Sequence, residues 1–192
     1  MLKNIGRAHT SRMTLDAFTL ARKVGFDNIN MDFIAGLPGD SADTFVRSVD
    51  RAVLLGAENI TVHTLALKRA ATLVTEGLTD TVCRDSVSMI ERSSELLKSA
   101  GYAPYYMYRQ SRSVGNLENT GWSLHDRECL YNIYMMEEIH SVLSAGSGAV
   151  TKLKDPDSPD VERIFNFKYP YEYISRYGEL CERKKRIFEF YK

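Results

Sequence analysis

The polar–apolar pattern switches twice between a helical and a strand-like period within the first 66 residues. Leu15, Phe18, Ala21 and Val24 recur at three-residue intervals and predict the buried stripe of a helix that Thr14 can cap and Gly25 ends. Asn28 to Ile34 follows as an apolar, β-favouring run with one acid, Asp32, at its centre, and it stops at Gly36-Leu37-Pro38-Gly39. A second helix comes next, with Ser41 or Asp43 as cap, Phe45, Val49, Ala52 and Val53 on its apolar face, and Gly56 at its end. A second strand runs from Ile60 to about Ala66.

These two units are a repeat. Gly25-Phe26-Asp27-Asn28-Ile29-Asn30-Met31-Asp32 lies over Gly56-Ala57-Glu58-Asn59-Ile60-Thr61-Val62-His63, sharing the order Gly, variable, acid, Asn-Ile, polar, apolar, polar. Helix–Gly–strand modules in succession pair their strands in parallel through right-handed crossovers. The repeat therefore predicts Asp32 and His63 at matching heights on neighbouring strands.

Downstream the pattern is looser. Residues 67–80 read as an exposed connection containing Lys68-Arg69 and Thr75-Glu76-Gly77, and a helix is expected from about Asp80 to Ala100 with Val82, Val87, Met89, Ile90, Leu96 and Leu97 on its apolar side. Tyr102 to Arg109 reads as a strand that Pro104 confines to an edge or bends early. A polar loop with Gly115, Asn116, Asn119 and Gly121 is expected next, then a helix from Cys129 to Ser144, a turn over Gly146–Val150 and a surface loop over 154–160. The tail from Tyr169 reads as helical and ends in the basic run Arg183-Lys184-Lys185-Arg186, expected to be a solvated helix end.

Composition adds mainly exclusions. With 25 basic and 25 acidic residues, no net charge points to a nucleic acid or an anionic membrane as partner. Cys83, Cys129 and Cys181 form no metal-binding pair, and an odd, sparse count suits a reducing, cytoplasmic location. No apolar run approaches the roughly 20 residues that span a bilayer.

Several residues are candidates for chemistry, each with a plainer alternative. Asp32 is either a strand-end acid bonding a loop or an acceptor for a ribose hydroxyl pair, the use α/β folds make of acids at strand ends. Gly36 and Gly39 let backbone approach a ligand, or simply build a turn that Pro38 stiffens. Arg7, near His9, is either a solvated cation or a carboxylate clamp. His63 sits in an otherwise apolar strand, where a satisfied interior histidine is the ordinary outcome. Tyr102, Tyr105, Tyr106 and Tyr108 are either packing aromatics or a flat substrate platform. Gly146-x-Gly148 lacks the rest of a dinucleotide fingerprint and reads as a turn.

Asn30-Met31-Asp32-Phe33-Ile34-Ala35-Gly36-Leu37-Pro38-Gly39 resembles the N-x-D-x-I-x-G-L-P-G segment of radical S-adenosylmethionine enzymes of the oxygen-independent coproporphyrinogen III oxidase type. Ile5–Thr10 and Thr61–Ala70 resemble the segments on either side. Tyr106–Gln110, Val114–Asn119 and Glu128–Tyr134 resemble the coproporphyrinogen dehydrogenase branch. The resemblance covers nearly the whole chain in order. It implies an α/β fold: the C-terminal part of a partial (β/α)6 barrel with parallel strands over residues 1–100, and a mostly helical family-specific region over 101–192. It implies S-adenosylmethionine and a [4Fe-4S] cluster as cofactors, and oxidative decarboxylation of the tetrapyrrole coproporphyrinogen III to protoporphyrinogen IX in haem biosynthesis as the reaction. Residue by residue, Arg7 matches a contact to the methionine end of the cofactor, Asp32 the ribose-binding acid, Ile34 an apolar neighbour of the adenine, and Ala66 a position whose backbone borders the cofactor. The resemblance carries no role for His63 and names no electron donor.

Two departures shape the expectation. No cysteine here matches the CxxxCxxC cluster motif, and His125-Asp126 replaces the Pro-Gly that often precedes the Cys-Leu-Tyr-Asn segment. The chain is therefore expected to be the C-terminal part of such an enzyme, inactive without the N-terminal half of the barrel. An unpaired sheet edge should make it poorly soluble alone. Two alternatives stay open: a radical relative that handles haem or transfers methyl groups, and a non-enzymatic remnant that binds a tetrapyrrole or a nucleotide.

Overall fold

The computed structural model describes residues 2–66, 85–110, 113 and 117–192. The connection expected over 67–80, the start of the next helix at Asp80, and Val82, Cys83, Gly115 and Asn116 lie outside the described residues. The chain divides into two compact units, Met1–Cys129 and Leu130–Lys192. This is a different division from the one expected after residue 100, because two strands beyond that point pair into the first unit's sheet.

The first unit opens with a 3-10 turn, Leu2–Ile5, and helix α1, Ser11–Lys23. Thr10, not Thr14, caps α1, accepting the Met13 N–H. The helix begins a turn earlier than its apolar stripe suggests, and an Arg12–Asp16 pair supports that first turn. Phe18 is buried, whereas Val24 is 65% exposed and lies outside the stripe. Gly25, at φ +103°, reverses the chain: its N–H bonds Arg22 O and the Phe26 N–H bonds Ala21 O. Strand β1, Asn30–Ala35, follows. Helix α2, Ala42–Leu54, is capped by Ser41, whose hydroxyl accepts the Thr44 N–H while Thr44 Oγ1 accepts the Ser41 N–H. Gly56 repeats the Gly25 turn, its N–H bonding Val53 O and the Ala57 N–H bonding Ala52 O, and strand β2, Asn59–Thr64, begins. Helix α3, Ser86–Ser99, and strands β3, Ala103–Tyr108, and β4, Asn119–Ser123, complete the unit.

The sheet order is β1-β2-β4-β3. The expected parallel pair is β1 with β2, and β4 and β3 extend the sheet antiparallel. Strand β3 lies at an edge with a bulge between Pro104 and Tyr106, as its proline requires. Strand β4 corrects the polar-loop expectation. Its Asn and Gly look like turn residues, but the segment sits between two strands and buries Trp122. Gly121 is needed there because the Tyr106 ring lies over it: an added Cβ would stand 1.9 Å from Tyr106 Cε1.

One face of this sheet is apolar. Met31, Phe33, Ala35, Ile60, Val62 and Trp122 join Phe18 of α1, Phe45, Val49 and Ala52 of α2, and Met89 and Leu97 of α3 in one cluster. Burying such side chains contributes roughly 1.5–3 kcal/mol each, so this layer holds the strands in register. The alternate positions point to the other face.

In the second unit, helix α4, Leu130–Glu137, is shorter than the expected Cys129–Ser144 helix. Glu138 turns out of it at φ +50° because its carboxylate is drawn to Lys152 Nζ (2.6 Å) and Arg163 Nη2 (2.6 Å) of a hairpin. That hairpin, β5 Val150–Lys154 with β6 Val161–Phe165, flanks the expected 154–160 loop. Three short helices follow, α5 Pro170–Ser175, α6 Tyr177–Lys184 and α7 Arg186–Phe190. The basic run is not simply solvated. Arg183 stacks on Phe167 at 4.3 Å, Lys184 Nζ reaches Ser144 O at 3.1 Å, and Arg186 pairs with Glu162 at 2.9 Å.

Candidate functional site

Strand parity builds the site. On the face away from the helices, β1 presents Asn30, Asp32 and Ile34, β2 presents Asn59, Thr61 and His63, β4 presents Asn119 and Gly121, and β3 presents Tyr106 and Tyr108. The result is a polar and aromatic layer, with Asn59, Thr61 and Asn119 buried in it and Asp32 exposed at its edge, on a sheet whose opposite face is core.

Asp32 lies in the middle of it with its side chain 61% exposed. Asn30 Nδ2 donates to Asp32 Oδ1 at 2.8 Å, and His63 Nε2 stands 3.6 Å from the same oxygen. Thr61 Oγ1 donates to Asn30 Oδ1 at 3.1 Å and meets the Tyr106 hydroxyl at 3.2 Å. His63 Nδ1 lies 3.4 Å from the Tyr108 hydroxyl. His63 holds the Asp32 carboxyl below its ordinary value; partial burial opposes this, and Asn30 adds to the lowering. Burial pushes the Tyr106 and Tyr108 hydroxyls upward, with the Asp32 charge adding to both and Thr61 opposing it at Tyr106. The acid is therefore ionised and acceptor-only, suited to donors such as a hydroxyl pair.

The repeat's prediction about height needs one correction. Asp32 pairs with Thr61, and His63 lies opposite Ile34, two positions further along. The two side chains still approach because a shift of two residues keeps them on the same face. Backbone bonds at both ends of the pair fix this register: Asn59 N–H bonds Ile29 O, and Leu65 N–H bonds Ala35 O.

The other expected site residues are placed as follows. Ile34 shares the face of Asp32, half-buried. Ala66 lies just past β2, bridged to Ser113. Arg7 is exposed between the 3-10 turn and α1, and its side chain makes no ion pair or hydrogen bond with Asp32. Gly36, at φ +88°, serves packing: an added Cβ would stand 2.7 Å from Ser86 Oγ, and its N–H points at Met89 Sδ, 3.3 Å away. Gly39 has open space around it. Asn30, Thr61 and Asn119 were not singled out from the sequence, although period-two parity with Asp32 and His63 marks the first two. The tyrosines divide between the two faces: Tyr102 is core, its hydroxyl bonding Ala57 O, while Tyr106 and Tyr108 stack at 13° and 6.4 Å on the polar face.

A hollow of about 590 Å³ in the second unit, lined by His140, Ser141, Lys154 and Tyr191, is less convergent: Lys154 Nζ already donates to Asp155 O at 2.6 Å. Among the described residues no group of three or more His, Cys, Asp or Glu could hold a metal ion. The described residues therefore do not fit an iron–sulfur cluster. No described helix is long and apolar enough to cross a membrane.

No protein-family model matches the chain. It is 40% identical over 190 residues to the oxygen-independent coproporphyrinogen-III oxidase-like protein HemZ of Bacillus subtilis, spanning 98% of this chain and 38% of that protein. The chain is homologous to the oxygen-independent coproporphyrinogen III oxidases. It is also 28% identical over 137 residues to the heme chaperone HemW of Mycobacterium tuberculosis, covering 69% of this chain and 32% of that one. Its fold matches that of the Escherichia coli coproporphyrinogen III oxidase HemN, a radical SAM enzyme, with a TM-score of 0.65 at 16% identity, over 93% of this chain and 40% of that chain. The expected fold class is thereby borne out. The chain spans about two fifths of the length of these oxidase relatives.

Proposed function

We propose that this chain is the C-terminal part of an oxygen-independent coproporphyrinogen III oxidase, and that its polar sheet face holds S-adenosylmethionine. The observation that carries this reading is Asp32: an ionised acid exposed on the edge strand of the sheet, with Ile34 on the same face and Asn30 and His63 beside its carboxylate. Its carboxylate accepts from the ribose hydroxyls, Ile34 lies against the adenine, the Ala66 backbone borders it, and Arg7 pairs with the methionine carboxylate. Bound there, the cofactor supplies radical chemistry for converting two propionates of coproporphyrinogen III into vinyl groups. The cluster ligands come from outside the described residues, and the chain alone is inactive.

The protein carrying this chain and a reconstituted cluster should form protoporphyrinogen anaerobically. Cleavage of S-adenosylmethionine without that product would remove the oxidase reading. Replacing Asp32 by Ala should weaken S-adenosylmethionine binding by about 1–3 kcal/mol, as lost charged hydrogen bonds do. Unchanged affinity in calorimetry would take Asp32 out of the site.

A second reading, haem handling, is favoured by the similarity to heme chaperones. Tight, saturable haem binding by the chain in a spectroscopic titration supports it, and absence of binding removes it.

A further inference from the structure

The brace around Asp32 has a direction. His63 Nε2 stands 3.6 Å from Asp32 Oδ1, outside a direct hydrogen bond and within ion-pair distance, and since a carboxylate only accepts, Nε2 is the nitrogen that turns its proton toward it. In the neutral ring Nδ1 must then accept, and the Tyr108 hydroxyl, 3.4 Å away, is the donor in place for it. Tyr108 is itself seated: its ring meets the imidazole edge-to-face at 6.4 Å and stacks on Tyr106. Across the strands it pairs with Asn119, a residue with no exposed surface whose Oδ1 accepts the Thr64 N–H at 2.6 Å. The line of contacts thus runs from a buried anchor beside the end of β2 to an exposed acid on β1. Among the described residues, Asp32, Tyr106 and Tyr108 are the titratable groups facing His63 from the neighbouring strands.

We propose that His63 is a positioning residue for Asp32. Seated against Tyr108, His63 faces Oδ1 with Nε2 from 3.6 Å and keeps the carboxylate aimed at the hydroxyl pair of a ribose. The ribose part of this statement rests on the function proposed above. The histidine is not a catalytic residue: it acts on the ligand through the carboxylate.

The test uses adenosine and 2′-deoxyadenosine as probes, with calorimetry on the 192-residue chain and its H63F, H63Q and Y108F variants. H63F should weaken adenosine about three- to fivefold, the effect of losing a partly exposed electrostatic brace on the carboxylate. H63Q, which keeps a donor near Nε2, should bind nearly as the original chain does, and Y108F should fall between. H63F should leave 2′-deoxyadenosine nearly unaffected, because the hydroxyl pair is already incomplete. Equal weakening of both nucleosides by H63F overturns the positioning role, since His63 then acts on the ligand elsewhere. If the original chain binds both nucleosides equally, the ribose reading fails, and positioning is decided without ligand. The Asp32 carboxyl resonance should titrate at higher pH in H63F than in the original chain, because His63 is what chiefly lowers it. An unmoved Asp32 titration overturns the proposal.

Discussion

The two helix–glycine–strand modules are written in the same local grammar and have different fates. Each begins with a hydroxyl cap, Thr10 or Ser41, and ends its helix on a glycine of positive φ with the same two carbonyl bonds. Their equivalent side chains then part company. Ile60 is fully buried while Ile29 is only half-covered, and Glu58 is 15% exposed where Asp27 is 87% exposed. Strand position makes the difference: β2 lies inside the sheet and β1 at its edge. An interior strand turns its apolar residues into core. An edge strand leaves its acid reachable, which is what Asp32 requires.

The largest expected effect compares the equivalent isoleucines. Ile60→Ala should destabilise by about 3–5 kcal/mol and Ile29→Ala by about 1–2, since cavity cost follows burial. Denaturant unfolding checks this, and equal losses would erase the distinction between interior and edge. Gly121→Ala comes next, at about 1–3 kcal/mol, because the new methyl group strikes the Tyr106 ring. Adding Tyr106→Ala should recover part of the lost melting temperature; no recovery would remove the ring as the cause.

The equivalent acids should differ less. Glu58 bonds Arg22 at 2.5 Å and accepts the Ile29 N–H at 2.9 Å, so Glu58→Gln should cost about 1–2 kcal/mol. Asp27→Asn should cost below about 0.5, as an exposed pair allows. Comparable losses would show that module position does not matter for charge.

The smallest effect is that of Asp32 on stability. Its folded pKa lies below the ordinary 3.8, so its contribution is complete above that value and fades as pH falls through the folded one. Being exposed and solvent-screened, it should give Asp32→Asn a loss below about 1 kcal/mol near pH 7. That gap should close near pH 2, and a gap that persists in acid would mean Asp32 acts through packing instead.

Much of this fold was legible because caps, glycines and periodicity are local. Gly25, Gly56, Ser41 and the apolar faces of α2 and β2 all follow from short-range rules. Strand β4 and the hairpin β5–β6 were not legible. Asn119, Gly121 and the residues around 150 favour turns in isolation, and distant pairing overrides that preference. At the site, Asp32 and Ile34 stood out on strand position and resemblance. The brace did not, because Tyr106, Tyr108 and Asn119 reach Asp32 and His63 only through strands joined out of chain order.

From the amino-acid order alone came the repeated module, its parallel pairing and the acid at its centre, since each depends on contacts within a few residues or on a pattern repeated 31 residues on. The tertiary structure decided the register, which set Asp32 against Thr61 and brought His63 beside it from two positions further along. It also decided where the polar face is reachable: Asn59, Thr61 and Asn119 are buried on it, and the edge position of β1 leaves Asp32 exposed.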